Sequence, residues 1–161
     1  MTLGPGPGKG AADKAGPVRI AGYASVFDVA DKGRDVVRKG AFARALAAAA
    51  GAGAGASVPL LWQHYAKRPI GRVEALSEDS RGLRVIARLA DGSSAAGEAA
   101  ALLRSGAVAG LSFGYRVRKG TRNAATGLRE LTDLDLLEVS LVTFPMQPLA
   151  RVHAVELPAE A

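Results

Sequence analysis

Cysteine is absent from these 161 residues, which excludes disulfides, a thiolate nucleophile and cysteine-ligated zinc. An intracellular protein fits that usage. Aromatic residues make up only 5% of the chain, with a single Trp, too few for the stacking platform on which single-strand binders lay bases. No apolar run approaches the roughly 20 residues that cross a bilayer as a helix, so no membrane association is expected. The opening MTLGPGPGKG has no apolar core of the secretory kind, and no signal peptide is expected. Histidine occurs twice, at His64 and His153. A general base of the imidazole type therefore has two possible positions.

What is present points to one β-rich domain. The chain is 48% hydrophobic, but much of that is alanine, so a core must come from the Val, Leu and Ile of strands. The formal net charge is +6 and the pI about 10.1. Lys and Arg are scattered, clustering only at Lys32–Lys39 and Arg116–Arg122 with acids interleaved. That pattern argues against specific nucleic-acid recognition and suits an acidic partner protein equally well.

Residues 1–16, rich in Gly, Pro, Lys and Ala, read as a disordered tail; 17–157 read as a single domain and 158–161 as a C-terminal tail. VRIAGYASVFD reads as a first strand with Ile20, Tyr23 and Val26 in the core and a slip of phase at Ala21-Gly22. Asp28, Asp31 and Asp35 follow in a loop. Their spacing is not that of a calcium loop, and Lys32 and Arg34 would repel a cation, so turn-forming roles are expected. Gly40 to Ala50 is helix-forming, with Phe42 and Leu46 on one face, and GAGAGAS over 51–57 reads as a flexible connector. Val58 to His64 forms a short apolar strand, and the stretches through Ile70, Val73 and Leu76 and through 83–89 form an antiparallel hairpin. Asp91-Gly-Ser-Ser94 caps a helix over about 95–105 that stops at Gly106. The final dozen residues are expected to trail off along the surface.

The stretch GAVAGLSFGYR places Leu111, Phe113, Tyr115 and Val117 on one face of a strand and Ser112, Gly114 and Arg116 on the other. Gly110 and Gly114 flank the serine without bulk, so another backbone could approach it. Across a turn near Thr121–Gly127, LRELTDLDLLEVSLVTF supplies the partner strand. Its apolar parity switches at Leu136-Leu137, which predicts a bulge, with Leu137, Val139 and Leu141 inside and Glu138 and Ser140 facing away.

A strand serine becomes a nucleophile only with a base in reach and a group that orients the base. His64 ends an apolar strand beside Trp62, whereas His153 lies in the C-terminal stretch. Glu138 is the carboxylate on the post-bulge polar face; a surface ion pair with Arg116 is its structural alternative. Asp133 and Asp135 precede the switch and remain weaker choices for the third role.

The strings GYASVFD, RDVVRKGAFARAL, VPLLWQH, PIGRVEAL, GLRVIARL, GLSFGYRV and LTDLDLLEVSLVTFPMQPLARV, in this order from Gly22 to Val152, resemble the prohead maturation proteases of tailed phages, the Hong Kong phage type. That family is in turn similar to the herpesvirus assemblin proteases. The resemblance implies a mostly β (α+β) fold, an antiparallel β-barrel with flanking helices. It implies Ser112 as nucleophile, His64 as base and Glu138 as third member, the assemblins having a second histidine there, and it implies no metal or cofactor.

By the same resemblance the chain is a serine endopeptidase that works inside the immature procapsid, in the host cytoplasm. It would cleave the scaffolding segment of the major capsid protein, or a separate scaffold, and itself; self-association is a further expectation. The Ala/Gly/Arg-rich composition fits a GC-rich host and a prophage or gene transfer agent. Oxyanion donors are expected among backbone N–H groups of Phe144–Leu149. Two other readings stand beside this one: a catalytically silent internal scaffold or capsid-binding component, and a basic β-domain that binds nucleic acid.

Overall fold

The computed structural model describes residues 18–51 and 58–156. The tails expected at 1–16 and 158–161 lie outside the described residues, as does the connector over 51–57 apart from Gly51. The elements run β1 (Arg19–Val26), β2 (Asp35–Val37), α1 (Ala43–Gly51), β3 (Pro59–Trp62), β4 (Tyr65–Glu78), β5 (Gly82–Leu89), α2 (Ser94–Ser105), β6 (Gly110–Arg122), β7 (Arg129–Val142) and β8 (Val152–Glu156).

Among the described residues the strands form one eight-stranded sheet in the order β2-β7-β3-β4-β5-β1-β8, with β6 also on β7. β6 pairs antiparallel with β7 from Gly110–Val142 to Arg122–Arg129 and so fills one edge of β7. The other edge is shared: β2 lies along residues 129–131 and β3 along residues 139–141, both parallel to β7. The sheet is therefore mixed, which corrects the expectation of a purely antiparallel one. Alternation in a sequence reports which side of a strand is buried; it carries no record of which neighbour lies alongside or in which direction. The strand ladders do not close into a ring. Beyond them, an isolated bridge joins Gly110 to Arg151, flanked by Leu111 N–H donating to Ala150 O at 3.0 Å and Val152 N–H donating to Ala109 O at 2.9 Å.

The core is made by the strands, as the scarcity of large side chains elsewhere requires. Leu83, Val85, Ala87 and Leu89 alternate inward from β5, and they meet Ile20, Leu60, Ile70, Leu111, Leu131, Leu134, Val139 and Leu141. Phe42, just before α1, is fully buried and packs edge-on against Phe113 with ring centroids 5.2 Å apart. α2 turns Ala96, Ala99, Ala100 and Leu103 inward. Three alanines on that face keep the helix close to the sheet, and Ser93 and Gly106 (φ 76°) cap its two ends.

Three expectations need correction. Tyr23 is only half-buried, because its hydroxyl reaches Asp79 at the surface, and Ala24 takes the core position beside it. Leu137 is 49% exposed: the bulge that the parity switch predicts does form, and Leu137 is the residue it expels. Val152–Glu156 do not trail off, because β8 pairs with β1 and shifts register at Ala21/Gly22; the residues after 156 lie outside the described ones. Gly22 permits that approach, since a Cβ there would stand 2.2 Å from Arg151 O.

Candidate active site

Trp62 pairs with Tyr65, so Gln63 and His64 are the two loop residues of the β3–β4 hairpin. Both have positive φ, 51° and 61°, as the tightest hairpin turns require, although Asn and Gly are the residues that adopt it cheaply. Four hydrogen bonds to β7 and the residue after it hold the turn. Gln63 N–H donates to Leu141 O at 2.9 Å, and His64 N–H donates to Ser140 Oγ at 3.0 Å. Gln63 Nε2 donates to Thr143 Oγ1 at 2.7 Å, and Thr143 N–H returns a bond to Gln63 Oε1 at 3.2 Å.

Glu138 follows the bulge. One carboxylate oxygen, Oε1, lies 2.5 Å from His64 Nδ1, and the other accepts from Ser140 Oγ at 2.6 Å. An ionised carboxylate can only accept, so Nδ1 carries the shared proton and Nε2 of a neutral ring keeps its lone pair. The carboxylate is sheltered, with 12% of the Glu138 side chain exposed against 43% of His64. Gly114 faces Glu138 in the register, and Ser112 faces Ser140. Directly opposed residues of an antiparallel pair share one face. Ser112 thus lies on the same face as the Glu138–Ser140–His64 cluster.

Ser112 is buried and makes no hydrogen bond with His64. It lines a cavity of about 30 Å³ with Ala24, Val29, Asp35, Met146 and Gln147, room for a water molecule. Asp35, on the wall of this cavity, is held in an ion pair. Asp35 accepts from Arg129 Nε and Nη2 at 2.8 and 2.7 Å and from the Tyr115 hydroxyl at 3.2 Å. The Arg129 guanidinium, above all, holds the Asp35 carboxyl below its usual range, and burial pushes the Tyr115 phenol up. Gln147 ties the segment after β7 to the end of β1: its Oε1 accepts from Val26 N–H at 2.6 Å, and its Nε2 donates to Val26 O and Val29 O at 2.8 and 3.0 Å.

The other candidates are engaged elsewhere. Asp135 sits between Arg44 and Arg118, each at 2.6 Å, and Asp133 pairs with Arg44; the Arg44 guanidinium is the main cause of the low Asp135 pKa. His153, on β8, is exposed and packs against the Tyr23 ring. Among the loop aspartates, Asp28 pairs with Arg38, and Asp31 Oδ1 accepts from Asp35 N–H as a turn former. Four further residues serve the site: Ser140, which the sequence places beside Glu138 without a role, and Gln63, Thr143 and Gln147. Ser140 shares the parity of Glu138, a usable signal; the other three carried none.

Over residues 9–160 the chain matches the family of caudovirus prohead serine proteases. It belongs to that family. Two prohead proteases are similar to this family member in sequence. That of Enterobacteria phage HK97 is 33% identical over 137 residues, 84% of this chain and 59% of the relative. That of Escherichia phage T5 is 28% identical over 132 residues, 82% and 60% of the two chains. The chain thus spans about three-fifths of the length of those relatives. In structure it is similar to the bacteriophage T4 capsid assembly protease, with a TM-score of 0.63, 16% identity and coverage of 77% and 80%. It is also similar to the KSHV protease, with a TM-score of 0.59, 12% identity and coverage of 90% and 66%. The fold is accordingly mostly β with few helices, of the kind seen in the herpesvirus proteases.

Proposed function

We propose that residues 17–157 are the proteolytic domain of a prohead maturation serine protease, with Ser112 as nucleophile, His64 as base and Glu138 as the group that orients the base. The observation that carries this reading is the 2.5 Å contact of His64 Nδ1 with Glu138 Oε1, on the face that Ser112 shares. Ser112 Oγ attacks the scissile carbonyl while His64 Nε2 takes its proton, and Glu138 stabilises the imidazolium that forms. His64 then passes the proton to the leaving amine, and a water activated by the same imidazole hydrolyses the acyl-enzyme. Catalytic hydrogen bonds of this kind often tighten only around substrate, so the lack of a Ser112–His64 bond does not count against the pair.

Backbone N–H groups of Phe144–Leu149 are the proposed oxyanion donors, typically worth about 3 kcal/mol. Pro145 lies over Gly110, and Met146 and Gln147 line the Ser112 cavity, which supports that choice. The Gly110–Arg151 bridge supports closure of the sheet into a flattened barrel. The proposed substrates are the scaffolding segment of the major capsid protein, or a separate scaffold, and the protease itself, inside the procapsid.

Co-expression with the neighbouring major capsid protein and mass spectrometry of its N-terminus tests this. Trimming should occur with wild type and His153→Ala and be lost with Ser112→Ala and His64→Ala. Trimming that survives Ser112→Ala would overturn the nucleophile. An untrimmed capsid protein throughout would favour a silent scaffold.

A further inference from the structure

Ser140 touches both groups that would act on Ser112, yet it is itself fully buried. A hydroxyl has one proton to give and lone pairs to receive. The His64 N–H can only donate, so Ser140 Oγ accepts there and must spend its single proton on Glu138 Oε2. The link is therefore directional. It holds the second oxygen of Glu138 and so leaves Oε1 aimed at the imidazole. It also fastens the backbone of His64, a residue at φ 61° that has a steric reason to leave that conformation. The Gln63–Thr143 pair fastens the preceding residue of the same turn, but among the described residues Ser140 is the side chain that ties the backbone of the turn to the carboxylate.

We propose that Ser140 is a positioning residue that sets the Glu138 carboxylate and the His64 turn relative to one another, and so the tautomer of the base. This rests on His64 being the base. Removing the hydroxyl leaves Glu138 Oε2 and the His64 N–H without their partners, which a sheltered carboxylate meets by rotating away.

The test uses the full chain labelled with ¹⁵N-histidine, whose two histidines give two separable ring spectra. Wild type and Ser112→Ala should show the Nδ1–H tautomer at His64. Ser140→Ala should lose it and show the ordinary Nε2–H form, with His153 unchanged. In parallel, acylation of Ser112 by a fluorophosphonate probe should slow roughly 10- to 100-fold in Ser140→Ala and recover in Ser140→Thr, which restores the hydroxyl. Should the alanine variant not fold, Ser140→Cys fills nearly the same space with a weak donor and should behave as alanine does. An Nδ1–H tautomer retained with wild-type acylation in the alanine or cysteine variant overturns the proposal, as does an Nε2–H tautomer in wild type. The tautomer is read without any reaction. A wild-type chain as inert to the probe as Ser112→Ala would therefore defeat the catalytic reading by itself, and the spectra would still decide the role of Ser140.

Discussion

Gly114 and Glu138 face one another across β6 and β7, and a β-carbon on residue 114 would stand 2.6 Å from Glu138 Oε1. The carboxylate occupies space that only glycine leaves free, and that space is what lets it reach His64. Gly114→Ala should therefore displace the carboxylate. The atom struck is the end of a flexible side chain, so the fold should survive with little loss of stability. Acylation of Ser112 should fall at least roughly tenfold, the cost of one charge-assisted hydrogen bond. Unchanged acylation in a folded variant would separate Glu138 from the chemistry.

Glu138 and Asp135 were both open as the third member, and paired substitutions separate them. Glu138→Gln keeps the shape but removes the charge that stabilises the imidazolium, and acylation should drop roughly 100- to 10,000-fold. Asp135→Asn breaks pairs with Arg44 and Arg118, whose side chains are about half exposed. Its rate should stay within about twofold of wild type, since exposed pairs contribute little. The opposite ranking would move the third role to Asp135.

The Asp35–Arg129 pair should appear in the acid stability of the chain. The Asp35 carboxyl titrates lower folded than unfolded, chiefly because of Arg129. A depressed folded pKa contributes stability that is present above the unfolded value, about 3.9, and lost as pH falls through the folded one. Asp35→Asn should cost about 1–3 kcal/mol at pH 7. The gap from wild type should close as the pH is lowered through about 4 and below. Urea unfolding of both proteins at neutral and acid pH measures it, and a gap undiminished in acid would show that the charge is not what matters.

Gln147 satisfies three backbone groups at and just beyond the end of β1 and is itself buried. Gln147→Ala leaves those groups unpaired and should destabilise the chain by about 2–4 kcal/mol. It should also release the Phe144–Leu149 segment from beside Ser112. Faster amide exchange confined to Val26, Val29 and that segment would confirm the tie; a stability within about 0.5 kcal/mol of wild type would contradict it.

The bulge shows how far local pattern reaches. The change of apolar parity at Leu136-Leu137 was visible in sequence, and the register does shift there. Which residue the bulge would expel was not visible, and Leu137, expected inside, came out. Tyr23 failed for a related reason: an aromatic ring in a strand reads as core, while its hydroxyl was drawn to Asp79, a residue distant in the chain. β8 carries little apolar signal because its residues are largely exposed, and it exists as a strand because Gly22 lets it dock on β1.

By itself, the sequence determined the two helices and the caps of α2, the apolar faces of the long strands, and the shortlist of Ser112, His64 and Glu138. These follow from periodicity, capping chemistry and the scarcity of histidine, all readable within a few residues. Only the tertiary structure decided that β2 and β3 run parallel to β7, that Glu138 rather than Asp135 meets His64, and that Ser140 joins the two. His64 and Glu138 stand 74 residues apart in the chain. Their contact depends on the register of β3 on β7 and on a single expelled leucine. A shift of one residue in either would part the carboxylate from the imidazole.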